Sequence, residues 1–509
     1  IEEATAPYGY TLNENYYEIA VDSDTAYQVD SVSGDVIIEV VYENHPVKGQ
    51  LKIVKQGEVL DGFSKDFVYE VEKLSGAVFE VYAAEDIYTA DFQKDAEGNR
   101  ILEYASGELV GTVTTDENGE AFLSDLPLGS YKIVEVTAPE GFVLNGEAQT
   151  VTFTYKDQNT PVIEQEAVFR NERQKVEVSV LKKEKDSDRV LERAVFALSA
   201  KEDITNKDGD VILEAGTVIE EKATGEDGKL TFEADLPIGF SYTVKETSPA
   251  PGFATTDEVQ EFTFTAESSD KATVFYEFTF EDEPTVFEFT KTSLTTGEEI
   301  EGAKLTVTDE NGEIVDEWVS GKEPHIIKEL VVGQTYTMTE LLPAPGYVTA
   351  ESIRFTVEDT AEVQKIEMKD DVSKVEISKI DIAGEELPGA ELSILDENGE
   401  VVESWTSTEE PHYIEMLPIG KYTLHEESAP EGYLVAEDVA FEVKDTGEIQ
   451  RVVMKDEAEP EETPETPQDT ISVDAPKTGD HTNILLWSAL LGLGLCGSVT
   501  AVILRRKRK

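Results

Sequence analysis

The sequence has few of the residues that usually mark a catalytic or metal-binding protein. It contains a single cysteine, Cys496, so disulfide bonds cannot hold its domains together. Its five histidines are not spaced as a ligand set, and we expect neither a metal nor a cofactor. Only 42 residues are Lys or Arg against 108 Asp or Glu, and the net charge of −66 argues against nucleic acid as a partner.

Helical periodicity is also scarce, and short strand-like segments separated by turn signals take its place. The 509 residues are too many for one hydrophobic core, which indicates several domains. Acidic turn sequences recur as "DENGE" at 116–120, 309–313 and 396–400, and as "EDGK" at 226–229. Because Asn-Gly and Asp-Gly favour tight hairpins, these clusters predict hairpin turns and not calcium loops. The repetition predicts an all-β chain of tandem β-sandwiches.

Each repeat places a glutamate on a strand face that otherwise carries large apolar residues. In "YKIVEVTAPEGF" (131–142), Tyr131, Ile133 and Glu135 share one face because side chains on a strand alternate. The same pattern recurs three times, with Glu246, Glu340 and Glu426 at the matching position. A buried, unpaired carboxylate is costly, so four in register indicate a shared purpose.

The first and last strands of each repeat add two more polar residues on apolar faces. The inward lysines of the first strands are Lys55, Lys182, Lys291 and Lys379. The last strands end in Asn171, Asp282, Asp370 and Asp456. The separation from Glu to this last residue is 36 in two repeats (171−135, 282−246) and 30 in the other two (370−340, 456−426). This regularity predicts one three-residue site that is built four times.

A buried Lys–Glu–Asn/Asp site permits formation of an amide cross-link. Burial favours a neutral amine, which is a nucleophile, and a protonated Glu, which can polarise a carbonyl and move protons. Ammonia would leave from Asn and water from Asp. The alternatives are a buried ion network, or lysines that extend to the edge of a sandwich. Four copies that each join the first strand to the last favour the cross-link.

These features resemble the collagen-adhesin B-type and SpaA-like pilin-type domains, which are prealbumin-like β-sandwiches of Gram-positive surface proteins. The resemblance lies in the strand Lys, the "GA-F" element, the "LP-G" turn, the "Y-φ-E…AP-GY" box and the closing Asn or Asp, from residue 1 to about 457. It implies autocatalytic isopeptide bonds, promoted by the Glu in a single turnover and not by an enzyme. The implied pairs are Lys55–Asn171, Lys182–Asp282, Lys291–Asp370 and Lys379–Asp456.

The repeats divide the chain into five predicted domains. Residues 1–47 resemble the C-terminal part of a truncated domain, which holds Glu3 and Asn44 but lacks the partner lysine. The start "IEEATAPYGY" already matches the part of the "Y-φ-E…AP-GY" box that begins at the glutamate. We therefore expect this chain to be part of a longer protein. Four complete domains are predicted at residues 48–173, 174–284, 285–372 and 373–457. We name these five segments domains 1 to 5.

The C-terminal end resembles an LPXTG-type sorting signal. A Pro/Glu/Thr-rich linker is predicted at 458–474, followed by a signal at 475–509 that comprises "APKTG" (475–479), an apolar span (484–504) and the basic tail "RRKRK" (505–509). The resemblance implies membrane insertion of a precursor, cleavage between Thr478 and Gly479 by a sortase, and attachment to peptidoglycan. Ala475 stands where leucine is usual, which leaves the sortase class open.

Together these features predict a secreted, cell-wall-anchored stalk, with the adhesive or other distal region lying upstream. The expected partners are the sortase, peptidoglycan and, through the upstream region, a host or matrix ligand. One alternative is a basal or minor pilus subunit, whose "YPK"-type pilin motif would have to lie upstream because this sequence has none. Another is the spacer of a wall-anchored enzyme whose catalytic domain lies upstream.

Overall fold

The computed structural model describes residues 1–22, 28–90 and 94–460, and all regular structure in these ranges is β-strand. Within them no helix is long and apolar enough to cross a membrane. The all-β prediction is confirmed. The predicted linker beyond residue 460, the motif with Thr478 and Gly479, the span 484–504 and the tail 505–509 lie outside the described residues.

The strands are numbered in chain order. Domain 1 contains β1 (Gln28–Val29) and β2 (Val36–Ile37). Domain 2 contains β3 (Lys48–Phe63), β4 (Phe67–Lys73), β5 (Val78–Ala83), β6 (Ile87–Tyr88), β7 (Leu102–Tyr104), β8 (Leu109–Thr114), β9 (Glu120–Leu126), β10 (Gly129–Thr137), β11 (Gln149–Phe153) and β12 (Val162–Asn171). Domain 3 contains β13 (Lys175–Glu184), β14 (Val195–Ala200), β15 (Ile204–Thr205), β16 (Val211–Leu213), β17 (Val218–Ala223), β18 (Lys229–Thr231), β19 (Ser241–Ser248), β20 (Val259–Thr263) and β21 (Thr273–Asp282).

The last two domains have fewer strands. Domain 4 contains β22 (Val286–Ser293), β23 (Lys304–Thr308), β24 (Ile314–Val319), β25 (His325–Lys328), β26 (Thr335–Leu342), β27 (Ile353–Thr356) and β28 (Val363–Asp370). Domain 5 contains β29 (Lys374–Ile380), β30 (Glu391–Leu395), β31 (Val401–Thr406), β32 (His412–Glu415), β33 (Gly420–Ser428), β34 (Val439–Val443) and β35 (Ile449–Lys455).

Domains 2 to 5 share one sandwich topology. One sheet has four antiparallel strands and holds the Glu strand: β11-β10-β5-β8, β17-β14-β19-β20, β24-β23-β26-β27 and β31-β30-β33-β34. The other sheet pairs the first strand of the domain with the last in parallel: β3 with β12, β13 with β21, β22 with β28 and β29 with β35. Because these two strands run in the same direction, the chain enters and leaves each domain at opposite ends.

Alternation along the strands builds each core. In β29, Val375, Ile377 and Lys379 are buried while their neighbours face outward, as the strand period of two requires. The tyrosine of each Glu strand in domains 2, 3 and 5 fixes the preceding turn. Its hydroxyl donates to a proline carbonyl in that turn at 2.7–2.8 Å: Tyr131 to Pro127, Tyr242 to Pro237 and Tyr422 to Pro418.

The acidic turn sequences are turns, but only two of them form hairpins. Those at 309–313 and 396–400 connect strands that pair with each other, β23 with β24 and β30 with β31. Those at 116–120 and 226–229 carry the chain from one sheet of the sandwich to the other. The hairpin prediction is therefore wrong for domains 2 and 3, because a turn signal is local and does not determine which strand the chain pairs with next.

Short linkers join the complete domains. β12 ends at Asn171 and β13 begins at Lys175, and the other two linkers are of similar length. The amide of the last linker residue donates to a glycine carbonyl of the preceding domain: Gln174 to Gly141, Thr285 to Gly252 and Ser373 to Gly346, at 2.7–3.0 Å. The hydroxyls of Thr285 and Ser373 donate forward, to Leu330 and Leu417 at 2.7 and 2.5 Å. These linker residues are hydrogen-bonded to both domains.

Candidate functional site

The parallel pairing of first and last strands places each predicted lysine beside its predicted partner. In domain 2, Lys55 lies directly opposite Phe169, and Asn171 lies two residues further along, on the same face. Lys182, Lys291 and Lys379 have the same two-residue offset from their Asp. A lysine side chain that leans along the strand therefore reaches the Asn or Asp, and in all four domains Nζ contacts Oδ1 of that residue.

The glutamate of each site comes from the opposite sheet. Glu135 lies on β10, which pairs with β5 and β11 and not with the lysine strand. Its carboxylate crosses the sandwich to the lysine, and the other three domains repeat this contact. The distances from Lys Nζ to Glu Oε1 are 2.8 Å for Lys55–Glu135, 3.0 Å for Lys182–Glu246, 3.0 Å for Lys291–Glu340 and 2.8 Å for Lys379–Glu426. We call each Lys–Glu–Asn/Asp set a triad.

All twelve triad residues are buried, with exposures between 0 and 4%. In domain 2, burial lowers the pKa of Lys55, although its contact with Glu135 acts in the opposite direction. In domains 3 and 4, burial raises the pKa of Asp282 and of Asp370 to about 7, against the attraction of the lysine. The pKa of Asp456 is also raised, first by burial. Burial therefore favours the neutral amine of Lys55 and the neutral carboxylic acids of Asp282, Asp370 and Asp456.

A backbone amide holds the second oxygen of each glutamate. The donor lies ten residues after the Glu in every domain. The contacts to Oε2 are Asn145 N at 3.2 Å, Thr256 N at 2.9 Å, Ala350 N at 2.7 Å and Ala436 N at 2.6 Å. Sequence reasoning missed these donors because a backbone amide carries no residue signature. The sequence feature that could have identified them is their constant position ten residues after the glutamate.

The triad of domain 2 differs from the others in how its hydrogen bonds are completed. Asn171 Nδ2 donates to Glu135 Oε1 at 3.0 Å. In domains 3 to 5 the corresponding atom is Oδ2 of Asp282, Asp370 or Asp456, and it has no hydrogen-bond partner among the described residues. A proton on this oxygen would replace the donor that Asn171 supplies, which agrees with the raised pKa of these carboxyls.

Apolar side chains surround the triads and exclude water. In domain 3, Lys182 Nζ lies 5.5 Å from the ring centre of Phe196 and 5.9 Å from that of Phe280. Domain 2 has the equivalent Phe79 and Phe169, with ring centres 4.7 Å apart. Domains 4 and 5 use aliphatic residues at these positions: Leu305, Met368, Leu392 and Met454.

The predicted residues of domain 1 also lie together, and the predicted lysine of domain 3 is the one that enters its triad. In domain 1, Asn44 Nδ2 and Asn13 N donate to Glu3 Oε2 at 2.7 and 2.8 Å, so these residues also meet. In domain 3, the structure places Lys182 in the triad, while the adjacent Lys183 points to Glu281 at a distance of 3.6 Å. The parts of the chain that the structure describes contain no cluster of metal-ligating side chains.

A protein-family model matches most of the chain, in four consecutive segments. The model "SpaA: Prealbumin-like fold domain" matches residues 64–167, 176–277, 285–372 and 373–458. No curated protein matches the chain.

Several solved structures are similar at low identity. The TIE protein of Bacillus anthracis is 21% identical over 80% of this chain and 73% of its own, with a TM-score of 0.32. BcpA, the major pilin subunit of Bacillus cereus, is 15% identical over 64% of this chain and 100% of its own, with a TM-score of 0.31. The major pilin SpaD of Corynebacterium diphtheriae is 15% identical over 64% of this chain and 97% of its own, with a TM-score of 0.28.

Proposed function

The chain belongs to the SpaA prealbumin-like fold domain family, and we propose that it is the stalk of a sortase-anchored surface protein with internal isopeptide bonds. Its tandem domains are structural and not enzymatic. In this proposal Lys55–Asn171, Lys182–Asp282, Lys291–Asp370 and Lys379–Asp456 are joined by amides, each promoted by the Glu of its triad. The stalk holds a distal, adhesive region away from the cell wall.

The observation that supports the proposal is the fourfold repetition of a fully buried triad. A permanent ion network would leave charges in an apolar core, where desolvation offsets much of their attraction. It would also leave Oδ2 of three buried aspartates without a donor. An amide bond removes the charges of both the lysine and the aspartate, and the contact between Nζ and Oδ1 already holds Nζ beside the carbonyl carbon to which it would bond.

The proposed reaction balances within each triad. The glutamate accepts a proton from the lysine, and the neutral Nζ attacks the side-chain carbonyl carbon of Asn or Asp. The protonated glutamate stabilises the developing charge on the acceptor and transfers its proton to the leaving group, and the carboxylate that results accepts the second proton that Nζ loses as the amide forms. The C–Nδ2 bond of Asn171 breaks to release ammonia, and a C–O bond of each Asp breaks to release water. No oxidant or cofactor takes part.

The glutamate is well placed for this role because its two oxygens have different partners. Oε1 lies at the lysine, where protons are exchanged, while the backbone amide ten residues later fixes Oε2. This amide orients the carboxyl group in all four domains without occupying the reacting oxygen. The apolar walls then keep water from hydrolysing the product.

The C-terminal signal would anchor the stalk to the cell wall. A sortase would cleave between Thr478 and Gly479, after residues 484–504 have held the precursor in the membrane, and would join Thr478 to peptidoglycan. The protein would then lie on the surface of a Gram-positive cell, with a host or matrix ligand bound through an upstream region. The pilus-subunit alternative would require, in addition, that this chain polymerise covalently.

Mass spectrometry tests bond formation directly. The intact mass of a chain spanning residues 1–460 should fall below the sequence mass by one ammonia and three waters, because one acceptor is Asn and three are Asp. The Glu135→Ala variant should show a deficit of three waters only, since Lys55 and Asn171 stay unlinked. The matched control Glu164→Ala, on the exposed face of β12, should retain the full deficit. A wild-type mass equal to the sequence mass would contradict the cross-link.

The rate of cross-linking should depend on pH in domains 3 and 4, where the acceptor is Asp, but not in the same way in domain 2, where it is Asn. The reactive Asp is protonated, so raising the pH through about 7, the raised pKa of Asp282 and Asp370, removes the reactive form. Cross-linking in domains 3 and 4 should slow by roughly tenfold per pH unit above that pKa. Asn171 does not titrate, so domain 2 should show no such decline.

The measurement uses chain 1–460 recovered unlinked from inclusion bodies and diluted from denaturant into buffers between about pH 6 and about pH 9. Linked peptides are quantified over time after proteolysis. Equal pH profiles for all domains would show that protonation of the aspartates does not control the reaction.

Anchoring is tested by Thr478→Ala in a Gram-positive host that expresses a suitable sortase. Because the proposed acyl transfer occurs at Thr478, the variant should move from the cell-wall fraction to the membrane or the medium. Thr470→Ala, in the predicted linker, is the control and should remain in the wall. Unchanged wall attachment of the Thr478 variant would exclude the sorting-signal interpretation.

A further inference from the structure

A hairpin of domain 2 extends beyond its own sandwich. Strand β3 pairs with β12 as far as Gly57 but continues to Phe63. Strand β4 returns from Phe67 to Lys73 and pairs with this extension of β3. We call residues 56–73 the extension hairpin. The alternation of side chains along a strand does not reveal which domain covers its apolar face, so the sequence did not predict where this hairpin packs.

The tip of the extension hairpin is part of the hydrophobic core of domain 3. Phe67 is 8% exposed and packs in one cluster with buried residues of domain 3, including Leu213, Leu236 and Tyr242. Three further residues of the hairpin, Leu60, Phe63 and Tyr69, pack against the edge of this cluster. The core cluster of domain 2 contains none of these hairpin residues. The apolar face of the hairpin is therefore buried by domain 3.

Polar contacts fix the hairpin on the same surface. The hydroxyl of Tyr69 donates to the carbonyl of Asp235 at 2.8 Å, and Asn206 Nδ2 donates to the carbonyl of Asp61 at 3.3 Å. Glu72 and Lys207 form an ion pair.

Arg173, in the linker between the two domains, joins both sides of this contact. Its guanidinium lies 3.7 Å from the ring centre of Tyr69, which is close enough for a cation–π contact, and it pairs with Asp235. It also lies 3.4 Å from Glu58 at the base of the hairpin. The contact therefore combines an apolar centre with polar groups at its rim.

The later joints are built differently. Between domains 3 and 4, Arg189 forms two hydrogen bonds to Glu329 at 2.6 and 2.9 Å, and Thr255 donates to Asp359 at 2.8 Å. Between domains 4 and 5, Thr349 donates to Asp445 at 2.7 Å. Among the described residues, the core clusters of domains 4 and 5 contain no side chain from a neighbouring domain.

We propose that the extension hairpin of domain 2 and the sandwich of domain 3 form one cooperative unit, because the hairpin completes the hydrophobic core of domain 3. Domains 4 and 5 each have a core of their own and open independently. The stalk is then a rigid two-domain segment followed by two separate domains. This organisation does not depend on whether the isopeptide bonds form.

Hydrogen exchange of chain 1–460, followed by mass spectrometry, tests the coupling. Phe67→Ala removes the hairpin side chain that is most deeply buried in domain 3. It should raise the exchange rates of the slowest amides in β14 and β19 of domain 3 by roughly a hundredfold to a thousandfold, the order of magnitude expected for loss of a core phenylalanine. The amides of β5 and β10, in the core of domain 2, should keep their rates.

Val68→Ala is the matched control, since Val68 is the adjacent residue and is 42% exposed. It should leave domain 3 unchanged. The reciprocal variant Leu236→Ala lies in domain 3 and should speed exchange in residues 58–72 while β5 and β10 stay protected. If Phe67→Ala leaves the exchange of β14 and β19 unchanged, or if Leu236→Ala leaves the hairpin unchanged, the two domains are independent and the proposal is wrong.

Discussion

The structure of each complete domain depends on the parallel pairing of its first and last strands. This pairing places a lysine beside an Asn or Asp that is 116, 100, 79 or 77 residues away in sequence, and it does so inside an apolar core. Because the two strands are parallel, the chain also enters each domain at one end and leaves it at the other. Tension along the stalk therefore passes through the two strands that carry the triad, and a bond between them would shield every residue enclosed between its ends.

The second sheet supplies what the strand pair lacks. Glu426 in domain 5, for example, comes from β33 and reaches Lys379 across the sandwich, while Ala436 N fixes its other oxygen. The triad can therefore assemble only when both sheets have packed, which makes cross-linking a consequence of folding. Burial also raises the pKa of Asp456, which favours the neutral acid that the reaction requires. Packing, protonation and chemistry depend on one another at this site.

Much of the site could be predicted from the sequence because the strand period of two is strict. Tyr131, Ile133 and Glu135 had to share a face, and the fourfold recurrence of Lys, Glu and Asn/Asp predicted which residues meet. Non-local features could not be predicted. The turn at 116–120 looks like the one at 309–313, yet it joins different sheets, and the backbone donor Asn145 N has no side-chain signature. Nothing in the strand pattern around Phe67 indicates that this residue is buried in a neighbouring domain.

Single-molecule pulling of chain 1–460 tests the covalent account most directly. When a bond joins Lys379 to Asp456, which are 77 residues apart in sequence, the segment between them cannot extend under force. Domain 5 should then show no full-length unfolding step at forces that unfold ordinary sandwiches. Lys379→Ala should add one step of roughly 250 Å, the extended length of that segment. Lys455→Ala, which changes an exposed lysine on the same last strand, should behave as the wild type does. If the wild type and Lys379→Ala show the same steps, the triad is a buried polar network and no covalent bond protects the stalk.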